Sequence, residues 1–392
     1  MARSLELGIK RLEDIVFVVH DIERSTRFYV DKLDFALTAR SSAAHEQKTG
    51  ETTRVFEAGH VKVSVVQPLT ATSSAARYLK RHPDGITTLV FEVEDLQKTF
   101  TVLEQRGATM VDDPRWTEGA GGVVGHFDIT TPFGEGLFRF VQRKGFTGPN
   151  PGLEAVAPEG QTNRFGFEFY DHVTSNFLTL KPMVLWCKEV LGLEEYWDIE
   201  FHTDDVHRSS ADTSGKGTAA DNDHGSGLKS IVLWDPHSGV KFANNEPKRP
   251  HFESSQIYTF VVDNLGAGFQ HVALTTRDIL STVRDLRASG VTFMPTPGSY
   301  YDLLPARLEE LGIGNLEENI DELRELQILV DGKGKNLYLL QIFLKEAAGL
   351  YGDQKAGPFF FEIIQRKGDK GFGGGNFRAL FESIEHEQKK KA

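Results

Sequence analysis

Among 392 residues there is a single cysteine, Cys187, so no disulfide can form within the chain and a reducing compartment is the expected setting. Nowhere do the about eighteen consecutive apolar residues of a membrane-spanning helix occur, and the N-terminal MARSLELGIKRLED lacks an apolar run of signal length. Basic charge is scarce as well: 44 Lys and Arg face 56 Asp and Glu, a net charge of −12, so no positive field exists to hold phosphates. The terminal KKKA reads as a solvated tail. Nucleic acid and membrane are therefore excluded as expected partners, and a cytoplasmic protein is expected.

Phenylalanine, by contrast, is abundant at 28 residues, and three of these stand around one carboxylate, Glu362, in FFFEIIQR (359 to 366). Turn-forming sequences flank this run, and its aromatic and β-branched content predicts a strand. Alternation places Phe360, Glu362 and Ile364 on one face and Phe361 and Ile363 on the other, and neither face is polar. A buried carboxylate needs a partner, because an unpaired charge loses several kcal/mol of hydration. Arg366, backbone amides and a metal ion are the candidates at this stage.

At this length two or more structural units are expected. The chain repeats itself. ITTLVFEVEDLQKTFTVLEQRGATMVDDP (86 to 114) aligns without gaps on FQHVALTTRDILSTVRDLRASGVTFMPTP (269 to 297). In the same order, residues 12 to 35 answer 170 to 193, and FRFVQRKGF answers FEIIQRKGD. Two halves built from β-α-β-β units are expected, residues 1–150 and 151–392, joined by the Gly- and Pro-rich stretch 145 to 164. The second half carries two insertions. Residues 201 to 227 are polar and Gly- and Ser-rich, and their His202, Asp204, Asp205 and His207 are a weak metal candidate with nothing apolar nearby to hold their geometry. Residues 300 to 326 have helical periodicity.

Two of the 13 histidines, His172 and His271, lie on predicted strands of the second half. With Glu362 they form two imidazoles and one carboxylate on three strands, the donor set of non-haem Fe(II) oxygenases. Singly, each histidine reads as well as a hydrogen-bonded core residue. The repeat supplies an internal control: the equivalent positions in the first half are Asp14, Thr88 and Arg139. A guanidinium in place of a ligand repels a cation, so only the second half is expected to hold a metal.

With these residues in view, the chain resembles the vicinal oxygen chelate superfamily, and within it the dioxygenases that act on 4-hydroxyphenylpyruvate. GAGFQHVAL, LLQIF, the NEP of ANNEP and FFFEIIQRKGDKGFGGGNFRALFESIE carry the resemblance, densely over residues 165 to 388 and weakly before. It implies an α+β fold of two tandem domains of β-α-β-β-β units with a C-terminal closing helix. It implies Fe(II) on His172, His271 and Glu362, O2 and 4-hydroxyphenylpyruvate as substrates, homogentisate and CO2 as products, and a homo-oligomer in tyrosine catabolism. It further implies a polar substrate network of Ser230, Asn245, Gln256, Gln270, Gln341 and Asn376. Phe343, Phe360, Phe372, Phe377 and Leu380 are the implied pocket walls. Gln270 rests on the resemblance alone, since strand alternation turns it away from His271. GFGGGNF lacks the Lys-Ser/Thr of a phosphate loop and reads as a hinge. Ala243 departs from the family, which usually has proline there. The alternatives are 4-hydroxymandelate synthase, an extradiol dioxygenase and a metal-free binding protein of the same fold.

Overall fold

Runs rich in β-branched and aromatic residues, closed by Gly, Pro or Asp, become two large mixed sheets. The computed structural model describes residues 3–119, 121–133, 135–202, 227–249, 252–314 and 316–376. In the first half the strands are β1 (Ile9–Val18), β2 (Ala36–Ser41), β3 (Glu51–Ala58), β4 (Val61–Pro68), β5 (Gly85–Val93), β6 (Arg115–Gly119), β7 (Gly122–Thr130), β8 (Leu137–Lys144) and β9 (Leu153–Ala155). In the second they are β10 (Phe167–Asn176), β11 (Glu194–His202), β12 (Gly227–Trp234), β13 (Lys241–Pro247), β14 (Gly268–Thr276), β15 (Leu329–Gly332), β16 (Tyr338–Phe343) and β17 (Phe360–Lys367).

The first sheet runs β6-β7-β8-β5-β1-β4-β3-β2-β9 and the second β11-β12-β13-β10-β14-β17-β16-β15, which is the same order of equivalent strands. In each, two pairs are parallel, β1 with β4 and β5 with β8, and β10 with β13 and β14 with β17. β9 arises within the connecting stretch and pairs with β2, so the first sheet extends to Ala155. The insertion at 300 to 326 is helical, as its periodicity predicts, with helices Gly298–Glu310 and Ile320–Leu326. His202, Asp204, Asp205 and His207 lie outside the described side chains, and Phe377 and Leu380, with the rest of the expected closing helix, lie outside the described residues.

The repeated QR of the two final strands has a structural reason. Gln142 accepts from Leu96 N at 3.1 Å and donates to Glu94 O; Gln365 accepts from Ile279 N at 3.0 Å and donates to Arg277 O. Each glutamine clamps the chain as it enters the helix Leu96–Gln105 or Ile279–Ala288, whose N-caps are Asp95 and Asp278. The adjacent arginines do equivalent work too. Arg143 holds Glu13 at 2.7 and 3.1 Å, and Arg366 holds Asp171 at 2.6 and 2.7 Å.

The two faces of FFFEIIQR diverge as alternation requires. Phe361 turns outward into the contact between the halves, against Phe17, Phe28 and Tyr29 of the first half at ring separations of 6.2, 6.3 and 6.2 Å. Phe360 and Glu362 turn into the concave face of the second sheet. Removing either clamp exposes a helix entry, so Gln142→Ala and Gln365→Ala should each lower stability by about 1–2 kcal/mol. Because the clamps share no partner, urea unfolding of the double variant should show the two losses adding.

Candidate metal centre

Three buried ligand atoms converge on the concave face of the second sheet. Nε2 of His172 lies 3.4 Å from Glu362 Oε2, and Nε2 of His271 lies 3.5 Å from the same oxygen. All three atoms fall within 4.8 Å of one another. Sheet pairing brings them together from β10, β14 and β17: Thr174, two residues beyond His172, pairs with His271, and Ala273, two beyond His271, pairs with Glu362.

The far side of each imidazole is held. Asp171 Oδ1 meets His172 Nδ1 at 2.9 Å, and Gln270 Oε1 meets His271 Nδ1 at 3.2 Å. Asp171 and Gln270 are each next in sequence to the histidine they hold, which a regular strand forbids. Both are the extra residue of a bulge in the β10–β14 pairing, where the register shifts between Tyr170 and His172 and between His271 and Phe269. A bulge re-aims its extra side chain. The expectation that Gln270 turns away from His271 is thus corrected by a local break in alternation.

The electrostatics follow this arrangement. Burial disfavours the charged form of His172, yet Glu362 and Asp171 outweigh it and raise its pKa above the ordinary value. For His271 burial prevails and the pKa is lowered; the partner at its Nδ1 is an uncharged amide. Burial pushes the Glu362 carboxyl up, but the two imidazoles hold it below the ordinary range. Asp171 is held far lower, since Arg366 and His172 overcome its burial. Arg366 therefore serves Asp171, which removes it as the hydrogen-bond partner of Glu362. Oε1 of Glu362 is buried with no donor among the described residues. A carboxylate oxygen without a donor, beside two imidazole nitrogens whose opposite nitrogens are engaged, fits a bound metal cation.

Around the triad, Phe360 stacks on His271 at 4.8 Å, Phe343 lies edge-on to it at 6.2 Å, and Phe372 covers His172 at 4.8 Å. Gln341, Ile364 and Arg366 line the same small cavity, whose free volume is about 10 Å³. A polar row continues across β12, β13 and β10, where Ser230 pairs with Asn245 and Asn245 with Asn176. Asn245 donates to Asn176 Oδ1 at 3.0 Å, while Ser230 Oγ, Asn245 Oδ1, Asn176 Nδ2 and Thr174 Oγ1 are buried without partners among the described residues. Gln256 opens the helix Gln256–Asp263, whose next residue, Ile257, packs with Ala243 and Phe372. Asn376 is buried, and its Oδ1 accepts from Tyr300 Oη at 3.0 Å. Sequence reasoning missed Asn176, Thr174 and Tyr300. Asp171 had a legible signal, because the acid next to His172 is repeated as Glu13 next to Asp14.

Register confirms the equivalences in the first half. Val16 pairs with Thr88 and Val90 with Arg139, as Thr174 pairs with His271 and Ala273 with Glu362. The guanidinium of Arg139 holds Asp128 at 2.7 and 2.8 Å, and Asp128 stands at the position of Phe343. Without the phenylalanines this half keeps a hollow of about 760 Å³ lined by both charged and aliphatic side chains. Asp14 accepts from Ser64 Oγ at 2.7 Å while its Oδ1 has no side-chain donor among the described residues, and burial pushes its carboxyl up to about 7.

Comparison with known proteins bears on the whole chain. The profile of the Glyoxalase/Bleomycin resistance protein/Dioxygenase superfamily matches residues 11–137 and 170–304, one match in each half. A 4-hydroxyphenylpyruvate dioxygenase of Dictyostelium discoideum is 31% identical over 387 residues, covering 96% of this chain and 97% of that protein. One of Caenorhabditis elegans is 33% identical over 396 residues, covering 97% and 92%. Among solved structures, a mutant of 4-hydroxymandelate synthase from Streptomyces coelicolor superposes with a TM-score of 0.77 at 26% identity, over 97% of this chain and 99% of that one.

Asp14 offers a pH test. Its folded pKa of about 7 exceeds an ordinary aspartate value, so the folded state holds the proton more tightly. Its ionisation therefore costs stability progressively as pH rises from about 4 to about 7, and fully above that. Asp14→Asn should raise Tm at pH 8, with a gain of up to ~4 kcal/mol, and change it little at pH 4. Calorimetry at both pH values checks this; an equal shift at both would contradict it.

Proposed function

The chain belongs to the 4-hydroxyphenylpyruvate dioxygenase family of the Glyoxalase/Bleomycin resistance protein/Dioxygenase superfamily, and from that premise we propose that it converts 4-hydroxyphenylpyruvate and O2 to homogentisate and CO2. The observation that carries the reading is the buried triad of His172, His271 and Glu362 with its donorless oxygen. We assign these three residues to one Fe(II). When bound, iron supplies open positions for a 2-oxo acid and for O2, and the electrons come from decarboxylation of the substrate itself. One oxygen atom ends in the new carboxylate and the other on the ring, beside the migrated side chain.

The chain's own residues define the conditions for that chemistry. Glu362 supplies the negative charge, and Asp171 and Gln270 hold the imidazoles with Nε2 inward. Phe343, Phe360 and Phe372 exclude water around the triad, which protects a strongly oxidising step from side reactions. Ser230 Oγ is available to donate to a substrate oxygen, and Asn245 Oδ1 to accept from a substrate hydroxyl. Gln256, Gln341 and Asn376 are assigned to the same task, and Phe377 and Leu380 to the outer wall on the resemblance. The first half is assigned a structural role. A cytoplasmic setting rests on the single, buried and free Cys187. A homo-oligomer is part of the proposal, to be checked by sedimentation.

The similarity to a 4-hydroxymandelate synthase structure supports one second reading, oxidation of the same substrate at its benzylic carbon. Product identification separates the two. After anaerobic loading with Fe(II), addition of 4-hydroxyphenylpyruvate and O2 should yield homogentisate, one per CO2; 4-hydroxymandelate would transfer the assignment to the synthase. Metal analysis should find one iron per chain, because Arg139 occupies the place of Glu362 in the first half. Glu362→Gln keeps the shape but not the charge, and should lose iron affinity and at least roughly a hundredfold in turnover while circular dichroism stays unchanged. Full turnover with a full complement of iron in that variant would overturn the ligand assignment.

A further inference from the structure

Asn376 presents an asymmetric amide. Oδ1 accepts from Tyr300 Oη at 3.0 Å, whereas Nδ2 is buried with no acceptor among the described residues. Tyr300 belongs to the helix Gly298–Glu310, in the insertion for which the first half has no equivalent. Val330, on the edge strand β15, holds the hydroxyl oxygen: its N–H donates to Oη at 2.8 Å, and its carbonyl, at 2.8 Å, competes with Asn376 Oδ1 for the single phenolic proton. Tyr300 packs against the cluster of Leu329, Phe343 and Phe360, which includes the two rings that flank His271. Asn376 is thus tied to the aromatic end of the site through one phenol.

The insertion and the edge strand β15 together hold the backbone on which Asn376 sits. Asp331, held by Arg307 at 2.8 Å, accepts from Gly375 N at 2.9 Å. A Cβ on Gly375 would lie 2.0 Å from the Arg307 guanidinium. Gly373 has φ +63°, and a Cβ there would lie 2.8 Å from Gln341 Oε1. These two glycines are therefore points of close approach, which a hinge alone does not require.

We propose that Tyr300 is a positioning residue for Asn376. By fixing Oδ1 it commits Nδ2 to donate to an oxygen of the bound aromatic substrate, while Arg307 and Asp331 hold the segment 373 to 376 in place. The nature of that substrate rests on the function proposed above; the Tyr300–Asn376 contact does not. The phenol aligns the substrate only by way of the amide. Misalignment should therefore separate decarboxylation from ring oxidation without touching the metal ligands.

The test uses the full chain loaded with Fe(II), as wild type, Tyr300→Phe, Asn376→Ala, their double variant and Asn376→Asp. Tyr300→Phe should retain one iron per chain. Its homogentisate yield should fall to roughly half of the CO2 released or less, with kcat reduced more than KM. The double variant should be no worse than Asn376→Ala alone, because the two residues act as one unit. Asn376→Asp keeps an acceptor for Tyr300 but removes the donor, so it should uncouple as Tyr300→Phe does, and it decides the matter if Tyr300→Phe fails to fold. One-to-one coupling in Tyr300→Phe or in Asn376→Asp, or losses that multiply in the double variant, would overturn the proposal. If the wild type makes no homogentisate, the function proposed above fails separately. The melting temperatures of the same cycle then decide the contact: non-additive shifts support it and additive shifts overturn it.

Discussion

A carboxylate that is 2% exposed, with one oxygen between two imidazoles and the other without a donor, is the constraint around which the second half is arranged. Three titratable groups cannot be taken from water together unless something compensates their charge. Asp171 and Gln270 engage the outer nitrogens of both rings, and Arg366 neutralises Asp171 in turn. The side that remains is Nε2, Nε2 and carboxylate, a set suited to a divalent cation. The phenylalanines complete it by lowering the local dielectric, which strengthens every charge interaction inside.

The internal repeat separates what the fold needs from what the chemistry needs. Both halves keep the glutamine clamp, the arginine that braces an acidic residue and, among the bulges on the central strand pair, the two next to the triad positions; in the first half these fall at Glu13 and Thr87. Those features set how the sheet curls and how the helix docks on it. The concave face is not so constrained. At the triad positions the first half has a buried, protonation-prone Asp14, Thr88 and Arg139, and Arg139 pairs with Asp128 at the place of Phe343, so charge is balanced there by side chains alone. One backbone supports either solution because side chains on the concave face alternate with those that build the core.

The insertion at 300 to 326 and the glycines at 373 and 375 belong to a second layer of organisation. The first half has no equivalent of either, and its hollow is open and wide. In the second half the helix Gly298–Glu310 brings Tyr300 and Arg307 against the segment that carries Phe372 and Asn376. The pocket is therefore roofed as well as floored, and its roof is fastened both to the insertion and to the sheet, through Tyr300 on the one hand and Asp331 and Arg366 on the other.

The sequence by itself determined the two-part architecture, the inward face of FFFEIIQR, the three candidate ligands and the absence of an equivalent triad from the first half. All of these are carried by local alternation and by self-similarity, which operate over a few residues or by direct alignment. It was silent on partner choice. Arg366 stands four residues from Glu362 yet binds Asp171, 195 positions away, and Asn376 meets Tyr300 across 76 positions. Alternation also misplaced Gln270, because a bulge at that residue breaks the period of two on which the rule depends. Tertiary structure decided these cases for one physical reason: which buried polar atoms satisfy one another is fixed by the distances among strands and insertions that meet only after the chain has folded.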